Sequence, residues 1–249
     1  HWSPIPSPGR FYGRAAELAA LHELLESRRC RVVAVLGMGG VGKTTLAAQA
    51  TRALAPGFDA VVWRSLLNAP PLHELLRACL QALAVPPAAI PEQLDDQLDL
   101  LLDCMRRRRC LIVLDNVESL LQGGMVAGQY RAGVEGYGQL LQLAGSYEHL
   151  SCLLLTSREA PQPLAQLGAA TPMVQVLRIG GLDDTACRTL LAAHGVAEMR
   201  GTPALVARYS GNPLALALVA ELMHELYGGD VDAFLAAEAI LFDDIRAVL

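Results

Sequence analysis

The stretch "VVAVLGMGGVGKTTLAAQA", Val32 to Ala50, decides the fold. A run of Val, Ala and Leu leads into glycines at 37, 39, 40 and 42, and Lys43-Thr44-Thr45 then opens a helical pattern. Gly37, Gly42, Lys43 and Thr44 satisfy G-x-x-x-x-G-K-[ST], with a strand before the motif and a helix after it. The glycines let successive backbone N–H groups turn toward one anion, and the positive end of the helix adds to the attraction. The backbone of Gly39, Gly40, Val41 and Gly42 would cradle phosphates. Lys43 would reach the β- and γ-phosphates, Thr44 would ligate Mg²⁺, and Thr45 would donate to the α-phosphate. Such a loop serves motors, kinases and switches alike, so the rest of the chain has to choose among them.

Five short apolar runs read as strands: 31–37, 60–66, 110–116, 152–158 and 173–179. They are nearly continuous in Val, Leu and Ile, as in strands buried on both faces. Helical periods at Lys43–Leu54, Pro71–Leu83, Leu94–Arg107 and Tyr137–Ala144 fall between them. Alternating strands and helices predict right-handed crossovers and a parallel sheet between two helical layers. After Gly180 no strand-like run remains. Asp183 and Gly195 bracket one helix; Asn212, Pro213 and Gly228 bracket another. The expected class is α/β, a three-layer P-loop nucleoside triphosphatase with a five-stranded parallel sheet followed by a small all-helical domain. The expected boundaries are a Pro-rich linker at 1–10, a nucleotide-binding domain at 11–180 and a helical lid at 181–249.

Residues 117–138, "VESLLQGGMVAGQYRAGVEGYG", carry glycines at 123, 124, 128, 133 and 136. A loop that long, 121–136, is uncommon unless it moves or binds something.

Composition narrows the function classes. The chain has 249 residues, 53% of them apolar, and a net charge of −5. Mean hydropathy is +0.32 and the pI is near 5.7. The acidic balance gives no broad attraction to nucleic acid. The one basic run, Arg106–Arg109, reads as a solvated helix end. The longest Gly-plus-apolar run, Val32 to Gly42, is well short of the roughly 18 residues of a membrane span. No secretory signal is visible, so the expected location is cytoplasmic. Cysteines 30, 79, 104, 110, 152 and 187 form no C-x-x-C pair and read as buried free thiols. The absence of a first Met and a last stretch that reads as helix suggest a piece of a longer protein.

Asp115 closes the run "LIVLD", where the Mg²⁺ shell needs an acid. An acid directly after it would activate the attacking water in a motor; here the residue is Asn116, which takes no proton at neutral pH. Losing a general base costs about two to four orders of magnitude in rate, so turnover should be slow. Glu118, two residues on, is the candidate substitute. Arg158 ends "LLLTSR" and is positioned to touch a γ-phosphate. "HEL" at His22, His73 and His224 sits on helical patterns without partners at metal or triad spacing.

The ordered set "FYGR" (11–14), the glycine loop, "LIVLDN", "LLLTSR" and "GNPLAL" (211–216) resembles the NB-ARC family of STAND nucleotide switches, in particular bacterial members with a downstream WD-repeat array. The likeness runs from Phe11 onward. It implies that the backbone near Tyr12 meets adenine, Arg14 approaches the nucleotide, Pro213 packs on the base and Arg158 senses phosphate. It also implies ADP or ATP with Mg²⁺ as cofactors, a lid of the ARC1 type, and winged-helix and WD-repeat domains downstream as partners. Self-assembly in the ATP state is a further implication; no membrane or nucleic-acid partner is expected. A histidine supplied by the winged-helix domain would contact the ADP β-phosphate, and neither His194 nor His224 fits that part. Ala217 stands where some relatives carry a hydroxyl. The competing reading is a multiple-turnover ATPase or a phosphotransferase, for which no acceptor site with a positioned base is visible.

Overall fold

The computed structural model describes residues 5–7, 9–123 and 128–236. The chain divides into two compact units that interleave along the sequence. The first comprises His1–Pro8, Ala16–Leu36 and Thr44–Arg178; the second comprises Gly9–Ala15, Gly37–Lys43 and Ile179–Leu249.

In the first unit, β1 (Val32–Leu36), β2 (Ala60–Ser65), β3 (Cys110–Asp115), β4 (Cys152–Ser157) and β5 (Val174–Arg178) form a parallel sheet in the order β2-β3-β4-β1-β5. Val32, Ala34 and Leu36 join a core cluster with leucines of α3 (Leu72–Ala82), α4 (Leu94–Arg107), α5 (Gly136–Ser146) and α6 (Gln162–Ala170). Successive side chains of a strand point to opposite faces. Val33 and Val35, also fully buried, therefore face the other side of the sheet. That two-sided burial explains why β1, β3 and β4 lack alternation in sequence. β5 departs from the expectation. It is an edge strand, and Val176 is 39% exposed while Val174 is buried. Two more helices belong to the architecture, α1 (Ala15–His22) and α2 (Lys43–Leu54).

The Gly-rich stretch is more ordered than a plain loop. Val117–Leu120 forms a 3-10 turn, and Leu121 pairs with Tyr130 in an antiparallel bridge. Gln122 N–H donates to the Gln129 carbonyl at 2.7 Å. Gly128 has φ +76°, and a Cβ there would lie 2.2 Å from the Ala160 carbonyl oxygen. Gly124, counted among the loop glycines, lies outside the described residues.

The basic run is also less solvated than expected, because only Arg106 and Arg107 belong to the helix end. Arg109 donates from Nη1 to the Gly57 carbonyl at 2.9 Å and from Nη2 to the Leu25 carbonyl at 3.2 Å. Its guanidinium lies 4.6 Å from the Phe58 ring centroid.

In the second unit, α7 (Asp184–Ala193), α8 (Thr202–Arg208), α9 (Pro213–Tyr227) and α10 (Val231–Ala236) enclose Cys187, Leu205, Leu216, Val219, Met223 and Phe234. Asp183 caps α7 by accepting from Ala186 N–H at 2.8 Å. Gly228 ends α9 at φ +58°, the left-handed conformation that glycine tolerates. The helix expected at the chain end, 240–249, lies outside the described residues. Among those described, no helix is long and apolar enough to cross a membrane. All six cysteines are free. Burial pushes the Cys79 thiol up to about 12 and the Cys187 thiol up to about 11, so both stay protonated and inert.

Candidate nucleotide site

The glycine loop is built within the second unit. Gly40 (φ +72°) and Gly42 (φ +97°) adopt conformations that L side chains rarely reach. A Cβ on Gly37 would sit 2.5 Å from the Ile179 carbonyl oxygen. A Cβ on Gly40 would sit 2.8 Å from Leu214 Cβ, whereas nothing approaches Gly42 within 4 Å. Lys43 is buried, and its Nζ donates to the carbonyls of Gly37 and Met38 at 2.9 and 3.0 Å. The ammonium thus closes the ring of the loop. Val41 is buried and contributes a carbonyl.

Two side chains pin that loop. Arg14, buried and at φ +66°, donates from Nη2 to the Val41 carbonyl at 3.1 Å and also to the Gly180 carbonyl. Asn212, buried at the start of α9, donates from Nδ2 to the Gly39 carbonyl at 2.8 Å. Its Oδ1 meanwhile accepts from Leu214 N–H and Ala215 N–H at 3.1 and 3.3 Å, capping the helix. Leu214 N–H also donates to the Gly40 carbonyl at 3.3 Å. Pro213 occupies the first helical position of α9, where its missing N–H costs nothing. Tyr12 packs against the helical core, with its hydroxyl buried and without a hydrogen-bond partner.

The acid side of the motif set belongs to the first unit. Thr44 and Thr45, both half-buried, lie in the first turn of α2. Thr44 Oγ1 donates to Asp115 Oδ1 at 2.8 Å, and Thr156 Oγ1 donates to the same oxygen. Asn116 N–H donates to Thr156 Oγ1 at 3.0 Å. Thr156, in "LLLTSR", is the orienting residue that sequence reasoning passed over. It sits directly across from Asp115 in the β3–β4 pairing, because Leu114 faces Leu155. Asn116 itself turns the chain at φ +65°. Beyond it, Glu118 Oε1 lies 3.6 Å from Arg158 Nε.

The donor set fits an anion and a hard cation. Thr44 and Asp115 offer oxygen ligands, as Mg²⁺ prefers, and that ion takes its remaining ligands from phosphates and water. Among the described residues no group of three or more His, Cys, Asp or Glu side chains gathers as a metal cage. Ser157 Oγ and Glu118 Oε2 are buried polar atoms without hydrogen-bond partners at the same strand ends. Buried polar groups are normally satisfied, so orphans of this kind point to a bound group. His22, His73 and His224 take no part in this cluster.

A parallel sheet with a G-x-x-x-x-G-K-[ST] loop after its first strand defines a P-loop nucleoside triphosphatase fold, and hence a nucleotide-binding protein. Residues 15–122 match the NB-ARC domain, the family that the ordered motifs of this chain resemble. A WD repeat-containing protein of Nostoc is 40% identical across the whole chain, which spans 21% of that protein's length. The disease resistance protein RFL1 of Arabidopsis thaliana is 22% identical over 88% of the chain and 24% of its own length. Among solved structures, a STAND protein with a tetratricopeptide repeat sensor from Pyrococcus horikoshii aligns over all of this chain and 34% of its own, with TM-score 0.67 and 17% identity. The Aeropyrum pernix ORC2 protein, solved as ADPNP–ADP complexes, aligns over 92% of this chain and 68% of its own, with TM-score 0.52 and 19% identity.

Proposed function

We propose that this chain is a nucleotide-operated signalling switch that holds ADP at rest, exchanges it for ATP on activation and hydrolyses ATP slowly. The observation that carries the reading is Thr44 bonded to Asp115, directly followed by an amide at Asn116. The first two would hold Mg²⁺ against the phosphates, and the ion would neutralise charge there. The third leaves the attacking water without an adjacent carboxylate, so the ATP state persists. Lys43 and the backbone of residues 39–42 would bind the phosphates, with Thr45 on the α-phosphate. Tyr12 and Pro213 would meet the base. Arg14 would act by holding the Val41 carbonyl, and so the loop, in register. A signalling role is supported by the family and by the Pyrococcus neighbour, named a signal transduction ATPase. Because the Nostoc relative carries WD repeats and is much longer, repeats elsewhere in the same polypeptide are the proposed sensor.

The direct test is to purify the protein without added nucleotide, release any bound ligand with acid, and identify it by chromatography. ADP at near-stoichiometric occupancy is the expected result. An empty protein with stimulated turnover above about 1 s⁻¹, at the low edge of ordinary enzymes, would overturn the switch in favour of a multiple-turnover ATPase.

A further inference from the structure

The hydrogen-bond chain through Thr156 has a fixed direction. All of its members, Thr44, Asp115, Asn116 and Thr156, belong to the sheet unit. Asp115 is buried, and Thr156 is fully buried on the neighbouring strand. The Thr156 hydroxyl accepts from Asn116 N–H at 3.0 Å, and its single proton goes to Asp115 Oδ1. Thr44 gives its own hydroxyl proton to the same oxygen at 2.8 Å. An ionised carboxylate only accepts, and each of its oxygens has about two lone-pair positions. Oδ1 is therefore saturated.

The atoms left over are few. Thr44, with its proton spent, can offer only lone pairs to anything else. Among the described residues Oδ2 accepts no hydrogen bond, so Asp115 keeps one oxygen to offer, not two. One carboxylate oxygen beside one hydroxyl oxygen suits Mg²⁺, which demands strict octahedral geometry, takes few protein ligands and keeps several waters. Ca²⁺ takes about six to eight oxygens and readily accepts both oxygens of one carboxylate. Such a grip on Asp115 would displace at least one hydroxyl proton from Oδ1.

We propose that Thr156 is a positioning residue that makes this site select Mg²⁺ over Ca²⁺, by holding Asp115 so that a single carboxylate oxygen is open. The inference rests on the reading of the chain as a nucleotide switch that uses a divalent cation. Residues that hold a metal ligand in place typically carry about ten- to a hundredfold of metal affinity.

Calorimetric binding of a non-hydrolysable ATP analogue to the whole chain, in Mg²⁺, in Ca²⁺ and in excess EDTA, tests it. Each ion binds the free analogue equally whichever variant is present, so differences between variants belong to the protein. In the parent, Mg²⁺ should tighten the analogue more than Ca²⁺ does. Thr156→Val keeps the shape and removes the hydroxyl. It is expected to lose about tenfold or more of the tightening by Mg²⁺, to lose less of that by Ca²⁺, and to leave the EDTA affinity within about twofold. Thr156→Ser, which keeps the hydroxyl, should retain the parent's preference. Thr156→Ala carries the same expectation as the valine variant, where valine fails to pack. A threonine that only caps the turn at Asn116 would shift all three affinities together, and that result would overturn the proposal. So would a parent that binds equally well with either ion, or a serine variant that behaves as valine does. If the parent binds no analogue under any of the three conditions, the nucleotide reading itself fails. If it binds with Mg²⁺ preferred and Thr156→Val keeps that preference, only the role of Thr156 falls.

Discussion

At the scale of single residues, Asn212 shows how one side chain does two jobs with its two ends. Its Oδ1 caps α9, and its Nδ2 holds the Gly39 carbonyl. Asn and Asp are equivalent as helix caps. Asn212→Asp therefore keeps the cap but replaces the donor with an oxygen facing the Gly39 carbonyl. Helix content by circular dichroism should stay constant while affinity for ADP and ATP falls equally, by about tenfold, the worth of a lost charged or buried hydrogen bond. Unchanged affinity would mean that the loop holds its shape unaided. Asn116 calls for a different substitution. It occupies the left-handed region, which Asp tolerates as well as Asn, so Asn116→Asp should fold normally. Restoring an acid beside Asp115 should raise single-turnover hydrolysis, toward the about two to four orders of magnitude that a general base contributes. A constant rate would assign the water to another group.

At the scale of elements, the sequence was legible wherever one local force dominated. Continuous Val-Leu-Ile runs marked β1, β3 and β4 because both faces of those strands are buried. Asp183 and Asn212 marked helix starts because short polar side chains bond the free N–H groups there. Legibility failed where a partner far along the chain decides the outcome. Nothing in the run Arg106–Arg109 says that its last member reaches the Gly57 and Leu25 carbonyls, and the solvated reading missed this. The edge position of β5 was equally hidden, since strand order is a property of the sheet. The bridge between Leu121 and Tyr130 was masked by glycines that suggested a plain loop. Arg109→Ala tests the long-range pin. Two carbonyls lose a charged donor and Phe58 loses its cation, so urea unfolding should register a loss of about 1–3 kcal/mol. Arg107→Ala, whose partner Asp103 lies on the same exposed helix surface, should cost less than about 0.5 kcal/mol. Equal losses would mean that Arg109 is as solvated as its sequence suggested.

At the scale of the whole molecule, the two compact units interleave along the sequence. The glycine loop, Gly37–Lys43, belongs with Gly9–Ala15 and the helices after Ile179, although it is flanked on both sides by segments of the sheet unit. The cause is visible in particular contacts: a Cβ on Gly37 would strike the Ile179 carbonyl, and Asn212 and Leu214 bond the loop backbone. No propensity or periodicity encodes those contacts, which is why the motif was readable and its packing was not. Lys43 is therefore where ligand and fold should be most tightly linked. At a nucleotide concentration about a hundred times the dissociation constant, binding adds about 2.7 kcal/mol to stability. For a chain of this size that corresponds to a rise of about 5–10 °C in Tm. Lys43→Ala should abolish the rise for both ADP and ATP. The substitution also removes two hydrogen bonds to the loop carbonyls, so the ligand-free Tm should itself fall slightly. Comparing each variant with and without nucleotide separates the two effects. A full rise in the variant would move the phosphates away from this loop and remove the basis for every role assigned around it.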